Sequence, residues 1–217
     1  MSPEPSQGRR EVRRTYDRIA DHFDETRASP WPEVSEFVDS MDPVARALDI
    51  GCGNGRHGDL LSAIAGETYC LDASASLLGI AHERTGETVT PIQGDAGRLP
   101  LRDEAIDVAV YVATLHHLPS REARVASLRE LARVLRPGGR ALVSVWSTAH
   151  DRFDADEGFD TTVDWTLPDG ETVPRYYHIY DPEEFEDDIA TAGFGQADTV
   201  VSSGNCYATV QAEGKHP

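Results

Sequence analysis

Lysine is almost missing from this chain: Lys215 is the only one, so arginine supplies 19 of the 20 basic residues. Cysteine is scarce too. Cys52, Cys70 and Cys206 are odd in number and widely spaced, which excludes a disulfide scaffold and any zinc-ligand spacing and suits a reducing cytosol. No run of 18 apolar residues occurs, which excludes a membrane-spanning helix. The opening residues 1–8 are polar and lack the apolar stretch of a leader peptide. Positive charge is short overall, with 38 acidic residues against 20 basic and a net charge of −18. Under ordinary salt such a balance argues against nucleic-acid binding. Two settings fit it: a small-molecule enzyme that repels acidic partners, or the cytosol of a halophilic archaeon, where carboxylate-rich, lysine-poor surfaces stay soluble. The missing lysine favours the second. At molar salt the Debye length falls to about 3 Å, so global repulsion fades and local contacts decide.

What is present organises as one substantial core in 217 residues. Residues 1–8 read as a disordered tail and 9–217 as a single domain. Helical spacing over 9–24 puts Val12, Tyr16, Ile19 and Phe23 on one stripe. Its other face carries Arg9, Arg10, Arg13, Arg14 and Arg18, either a solvated face or a local phosphate contact. Trp31, Val34, Phe37 and Met41 mark a second, core-facing helix over 31–41, closing an N-terminal helical segment at 9–44. Strand patterns follow at 45–50, 67–72, 89–93, 106–112, 140–146, 197–202 and 205–211, alternating with helices at 56–65, 74–84, 120–135 and 181–192. That alternation predicts an α/β fold with a parallel sheet covered on both faces. Residues 45–146 form the expected cofactor-binding core. The acidic stretch 147–174 shows no clear period and reads as a loop with short strands. It belongs to an insertion, 147–180, expected to cover the site on its substrate side. The last helix and strands occupy 181–217.

The run Leu48-Asp49-Ile50-Gly51-Cys52-Gly53-Asn54-Gly55 reads as a buried strand, a glycine turn and the start of a helix. Glycine lacks a Cβ, so such a backbone turns sharply and approaches a ligand closely. Asp72 lies 21 residues beyond Gly51, at the end of the next strand, where a carboxylate can take ribose hydroxyls. The dinucleotide fingerprint needs G-x-G-x-x-G, but position 56 is Arg56. The turn therefore points to a nucleoside cofactor other than a dinucleotide. After strand 106–112 come His116 and His117, at the end of a strand that borders the cofactor crevice. Adjacent histidines point different ways, which argues against a shared metal; His116 is the candidate for the site, with a structural role the alternative. Arg175-Tyr176-Tyr177-His178 offers three rings beside a cation, suited to a flat base next to an anion or to plain aromatic packing.

Asp49 to Gly55, Asp72, Gly94-Asp95-Ala96 with Leu99-Pro100, and Leu135-Arg136-Pro137-Gly138-Gly139 together resemble the class I S-adenosylmethionine-dependent methyltransferases. The resemblance implies a Rossmann-like, doubly wound sheet of seven strands, mostly parallel with an antiparallel last strand. It also implies S-adenosyl-L-methionine bound by Asp49, Gly51, Gly53, Gly55, Asp72, Asp95 and Ala96. A narrower likeness extends outside that core. Tyr16-Asp17-Arg18-Ile19-Ala20, His22-Phe23, Thr26-Arg27, Pro30-Trp31-Pro32, His116-His117, the run from Arg121 to Arg124, Arg175 to His178 and Gly204-Asn205-Cys206-Tyr207 resemble the tRNA wobble-uridine methyltransferases. Members of that family esterify the carboxylate of 5-carboxymethyluridine at position 34 and work with a small zinc-binding activator protein docked on a sheet edge. The resemblance thus implies a cytoplasmic tRNA enzyme with a heterodimer partner. The expected edge is strand 89–92. Arg27 or Arg175 would hold the carboxylate, Tyr177 and His178 would border the uracil, and no metal site is expected. A quinone- or metabolite-type methyltransferase and a non-catalytic cofactor-binding partner protein are the other readings.

Overall fold

The computed structural model describes residues 8–213. The tail expected over 1–8 lies outside them except for Gly8, as do residues 214–217. Two helices lead the chain, α1 (Arg9–Thr26) and α2 (Pro32–Asp39). Strands and helices then alternate as β1 (Val44–Ile50), α3 (Arg56–Ser62), β2 (Ala65–Asp72), α4 (Ala75–Thr85), β3 (Val89–Gln93), β4 (Ile106–Val112), α5 (Arg121–Val134) and β5 (Leu135–Trp146). A hairpin follows, β6 (Phe159–Thr166) and β7 (Thr172–Ile179), and then α6 (Pro182–Ala192), β8 (Gln196–Ser202) and β9 (Asn205–Gln211).

Seven strands form one sheet in the order β3-β2-β1-β4-β5-β9-β8. The β1–β2, β2–β3, β1–β4 and β4–β5 pairs are parallel, and β9 runs antiparallel to both its neighbours. This is the expected doubly wound sheet with an antiparallel last strand. β4 shows why its sequence is so uniformly apolar. Ala109 and Tyr111 pack into the core on one face with Leu128 and Leu131 of α5. Val108, Val110 and Val112 pack on the other face with Val34 and Phe37 of α2 and Leu61 of α3. A central parallel strand buried on both sides has no polar face to show. Among the described residues no helix is long and apolar enough to cross a membrane.

Helix starts follow local chemistry. The Ser74, Ser120 and Asp181 side chains accept from the backbone N–H of Leu77, Ala123 and Glu184, capping α4, α5 and α6. The end of α5 differs from expectation. It stops at Val134, ahead of Pro137-Gly138-Gly139, because Leu135 already takes extended geometry and pairs with Ile106 in the sheet.

Residues 147–174 hold the expected loop followed by short strands, with more regularity than their composition suggests. Much of this stretch belongs to a regular antiparallel hairpin, with Val163 opposite Arg175 and Trp165 opposite Val173. Its period-2 signal was diluted by Asp and Thr on the outward side: Val163 and Trp165 are buried, while Thr162 and Asp164 are exposed. The hairpin lies against α1. Ile19, Trp165 and Val173 form a small core with Tyr16, Phe23 and Leu167, and Arg18 pairs with Glu171 across the junction.

Candidate functional site

A cavity of about 480 Å³ opens where the carboxyl ends of β1, β2, β4 and β5 meet α1 and the hairpin. Such a crevice is where open α/β sheets hold ligands. Its floor is the glycine turn. Gly51 takes φ +68°, and a Cβ there would lie 2.2 Å from the Thr114 Oγ1. Gly53 takes φ +54° and lines the cavity next to Phe23. At both places only glycine fits without strain. Asp72 ties this turn down: its carboxylate accepts from the Gly53 N–H at 2.9 Å and from the Ser74 N–H at 2.8 Å. Burial raises its pKa, and those backbone donors oppose the rise.

Two of the expected cofactor residues stand behind this surface. Asp49 is 1% exposed and does not line the cavity. One of its oxygens, Oδ2, has no hydrogen-bond partner, and burial pushes its pKa up to about 7 against the pull of Arg56. It sits in the second layer because the last residue but one of β1 points under α3 rather than over the turn. Gly55 is also off the cavity. A Cβ there would meet Ala81 of α4 at 2.9 Å, so this glycine serves helix packing. Asp95 and Ala96 do line the cavity, next to Gly94. Asp95 is exposed at the rim, paired with Arg9 at 2.8 Å.

The two histidines divide. His117 lines the cavity and His116 does not, the reverse of the sequence-based choice. They lie in one 3-10 turn, Leu115–His117, and their rings meet edge to face at 4.5 Å with both against Tyr177, so they do not point apart as expected. The His117 Nδ1 faces the Tyr176 carbonyl at 2.8 Å and must donate to it, so Nε2 accepts from the Tyr16 hydroxyl, also at 2.8 Å. Burial lowers the His117 pKa to about 3, leaving the ring neutral. His116 is 1% exposed; its Nδ1 accepts from the Trp146 N–H, and its ring packs against Tyr177.

Strand β7 sorts the rest by alternation. Arg175 and Tyr177 face the cavity; Tyr176 and His178 face away. His178 is corrected accordingly. Its Nδ1 meets Asp160 and its Nε2 meets Glu184, each at 2.8 Å, so it fastens β7 to β6 and α6. Arg175 is 7% exposed, its Nε has no hydrogen-bond partner, and among the described residues it forms no ion pair. Its guanidinium stacks over Trp165 at 4.7 Å and Tyr177 at 5.2 Å. Arg27 also lines the cavity without an ion pair among the described residues, and lies over the same Trp165 ring at 5.3 Å. Trp165 itself is fixed by its indole N–H donating to the His22 Nδ1 at 3.0 Å.

Sequence reasoning passed over Trp165, Arg56 and Trp146. The alternation around Val163 could have found the first. Arg56 follows the turn directly, lines the cavity and is 8% exposed; burial lowers its pKa to about 10. The site thus combines a glycine floor, a pinned carboxylate, buried cations lacking carboxylate partners, and flat aromatic walls. That set can hold a nucleoside together with an anion.

Residues 48–143 match the family described as "Methyltransferase domain". The chain is 39% identical over 138 residues to the tRNA (carboxymethyluridine(34)-5-O)-methyltransferase ALKBH8 of Mus musculus, covering 63% of this chain but only 20% of that protein. It is 32% identical over 170 residues to the tRNA (carboxymethyluridine(34)-5-O)-methyltransferase of Saccharomyces cerevisiae, covering 76% of this chain and 59% of that one. The chain therefore spans about a fifth of the length of the mouse relative and somewhat over half of the yeast one. Among solved structures, a DhpI–SAM–HEP complex superposes with a TM-score of 0.76 at 22% identity, covering 95% of this chain and 99% of that one. That likeness speaks to the fold alone.

Proposed function

We propose that this class I, S-adenosylmethionine-dependent methyltransferase esterifies the carboxylate of a 5-carboxymethyl-type uridine at wobble position 34 of tRNA. The observation that carries the reading is Arg175: a buried cation on the cavity wall with no carboxylate of its own, in a chain of net charge −18. Where carboxylates are so abundant, an arginine left without one beside two aromatic faces suits an anion brought by the substrate.

The cavity suits the cofactor. Gly51 and Gly53 leave room for close approach, and the Asp72 oxygens keep lone pairs for ribose hydroxyls beyond the two N–H groups they already accept. Asp95 and Ala96 flank the place for the base, and Arg27 offers a cation to the methionyl carboxylate. When bound, S-adenosylmethionine supplies an electrophilic methyl group on a sulfonium. The chain's own contribution is positioning. A carboxylate with an ordinary pKa near 4 is ionised at neutral pH and needs no general base. His117 fits this, since its Nε2 lone pair is already engaged by Tyr16. Arg175 supplies counter-charge and aim, Tyr177 and Trp146 a stacked aromatic wall for the uracil, and the hairpin excludes water.

The test is mass spectrometry of tRNA nucleosides after incubation with S-adenosylmethionine and tRNA bearing 5-carboxymethyluridine. Appearance of the methyl ester, lost in Arg175→Ala, supports the reading; methylation of small carboxylates but not of tRNA would assign a metabolite acceptor instead. A tRNA acceptor is compatible with an enzyme of the cytoplasm. For the zinc-binding activator we assign the β3 edge, supported by β3 ending the sheet with Thr90 and Pro91 exposed. Solubility and full activity of the chain alone would remove that assignment. The lysine-poor acidic composition supports a high-salt setting, checked by activity that rises toward molar salt.

A further inference from the structure

We propose that the outer face of α1, carried by Arg10, Arg13 and Arg14, binds the phosphodiester backbone of the RNA whose target base enters the cavity. This rests on the RNA-acceptor reading above and extends it to a surface. Four observations carry it. Helix α1 borders the cavity directly, with Val12 and Tyr16 on its lining, Arg10 and Arg13 at the rim and Arg14 off it, so its exposed face continues from the entrance. Arg10 and Arg14 are exposed and form no ion pair among the described residues, and Arg13 meets only Asp17, at the 4.0 Å limit. Positions 10 and 14 lie one turn apart, about 6 Å along the axis, with 13 between them, which makes a row of cations rather than a scatter. Like charges at this spacing repel one another on a bare helix, and a row of phosphates removes that cost.

The surroundings give direction. The hairpin packed beside α1 exposes Asp164 and Asp169 on its outward side, which repel a polyanion, while Glu171 is paired with Arg18. A polyanion approaching the entrance is therefore accepted on the α1 side and rejected on the hairpin side. A small carboxylate that fits inside the cavity gains nothing from Arg14, which lies off it, so that position distinguishes an RNA acceptor from a metabolite.

The experiment measures binding of an unmodified tRNA anticodon stem-loop by fluorescence anisotropy, at salt from about 0.1 to about 0.5 M, for the wild type, Arg14→Glu and Arg10→Glu/Arg14→Glu. Calorimetric S-adenosylmethionine binding and circular dichroism report folding separately. The expected result is an RNA Kd raised at least about tenfold in the double variant. The salt slope should become shallower by about 1.5 to 2 as two phosphate contacts are lost, and Arg14→Glu, whose side chain lies off the cavity, should weaken RNA binding with cofactor affinity unchanged. Wild-type RNA binding that the double variant retains overturns this inference and leaves the acceptor reading standing. Polyglutamate competing as well as RNA also overturns it, by making the face a generic anion patch. A wild type that binds no RNA overturns both.

Discussion

Arg175→Met separates what the cavity needs for folding from what it needs for its substrate. Arg175 is 7% exposed, with an unpartnered Nε and no ion pair among the described residues. Taking a guanidinium out of water without a carboxylate costs several kcal/mol. The rings of Trp165 and Tyr177, at 4.7 and 5.2 Å, return roughly 0.5–2 kcal/mol each. Methionine has similar length, keeps contact with both rings and carries no charge to desolvate. The free variant should therefore be more stable by about 1–2 kcal/mol, raising Tm by a few degrees in a chain of this size. Activity should move the other way. Removing the buried partner of a substrate carboxylate costs about 2–5 kcal/mol, or roughly 30- to 4000-fold in kcat/KM. Urea unfolding gives the first number, and esterification of 5-carboxymethyluridine tRNA gives the second. A variant destabilised by more than about 1 kcal/mol would show that Arg175 holds the fold together, and the argument from an uncompensated cation would be lost.

Gly51→Ala tests the cavity floor. The left-handed φ costs about 1–2 kcal/mol and the new Cβ, 2.2 Å from Thr114 Oγ1, about 1–3 more; Thr114→Ala in the same chain should recover only the second share, and full recovery by a double-mutant cycle would refute the backbone part. Acid should destabilise the protein early. His57 and His117, lowered to about 3 by burial, and His116, lowered well below its ordinary value, stay neutral in the fold. The unfolded chain protonates them near pH 6.5, so their contribution is complete above that pH and lost as pH falls toward 3. Asp49, raised to about 7, acts oppositely, since between about 4 and 7 the fold keeps a proton the unfolded chain has released. Three protons against Asp49 and, over part of the range, Asp72 leave a loss of about 1–3 kcal/mol per pH unit below about 6, steeper in Asp49→Asn; urea melts at constant m that show flat stability from pH 7 to 5 would contradict this.

The sequence by itself determined the fold class and the floor of the site. Strand–helix alternation requires a parallel sheet with both faces covered, and the uniformly apolar β4 marks its centre. The positive φ at Gly51 and Gly53 is a local chain property, legible as glycine spacing because a turn reads its own residues, whereas the Asp72 carboxylate reaches Gly53 only because β2 lies beside β1. Strand alternation puts Arg175 and Tyr177 on one face, a signal in the sequence that the expected grouping of Tyr177 with His178 did not use.

Which face was decided by tertiary structure. Strand spacing makes Tyr177 and His178 oppose each other, but only packing against α1 turned His117 and Tyr177 inward. The carboxylates that hold His178 outward come from Asp160, its cross-strand partner on β6, and Glu184, in the first turn of α6. Asp49 sits one residue before Ile50, yet α3 buries it behind the turn. Trp165, on which two arginines rest, enters the site only because the hairpin folds back onto α1. Periodicity fixes relative orientation along a chain; the apolar contacts between elements choose the absolute one.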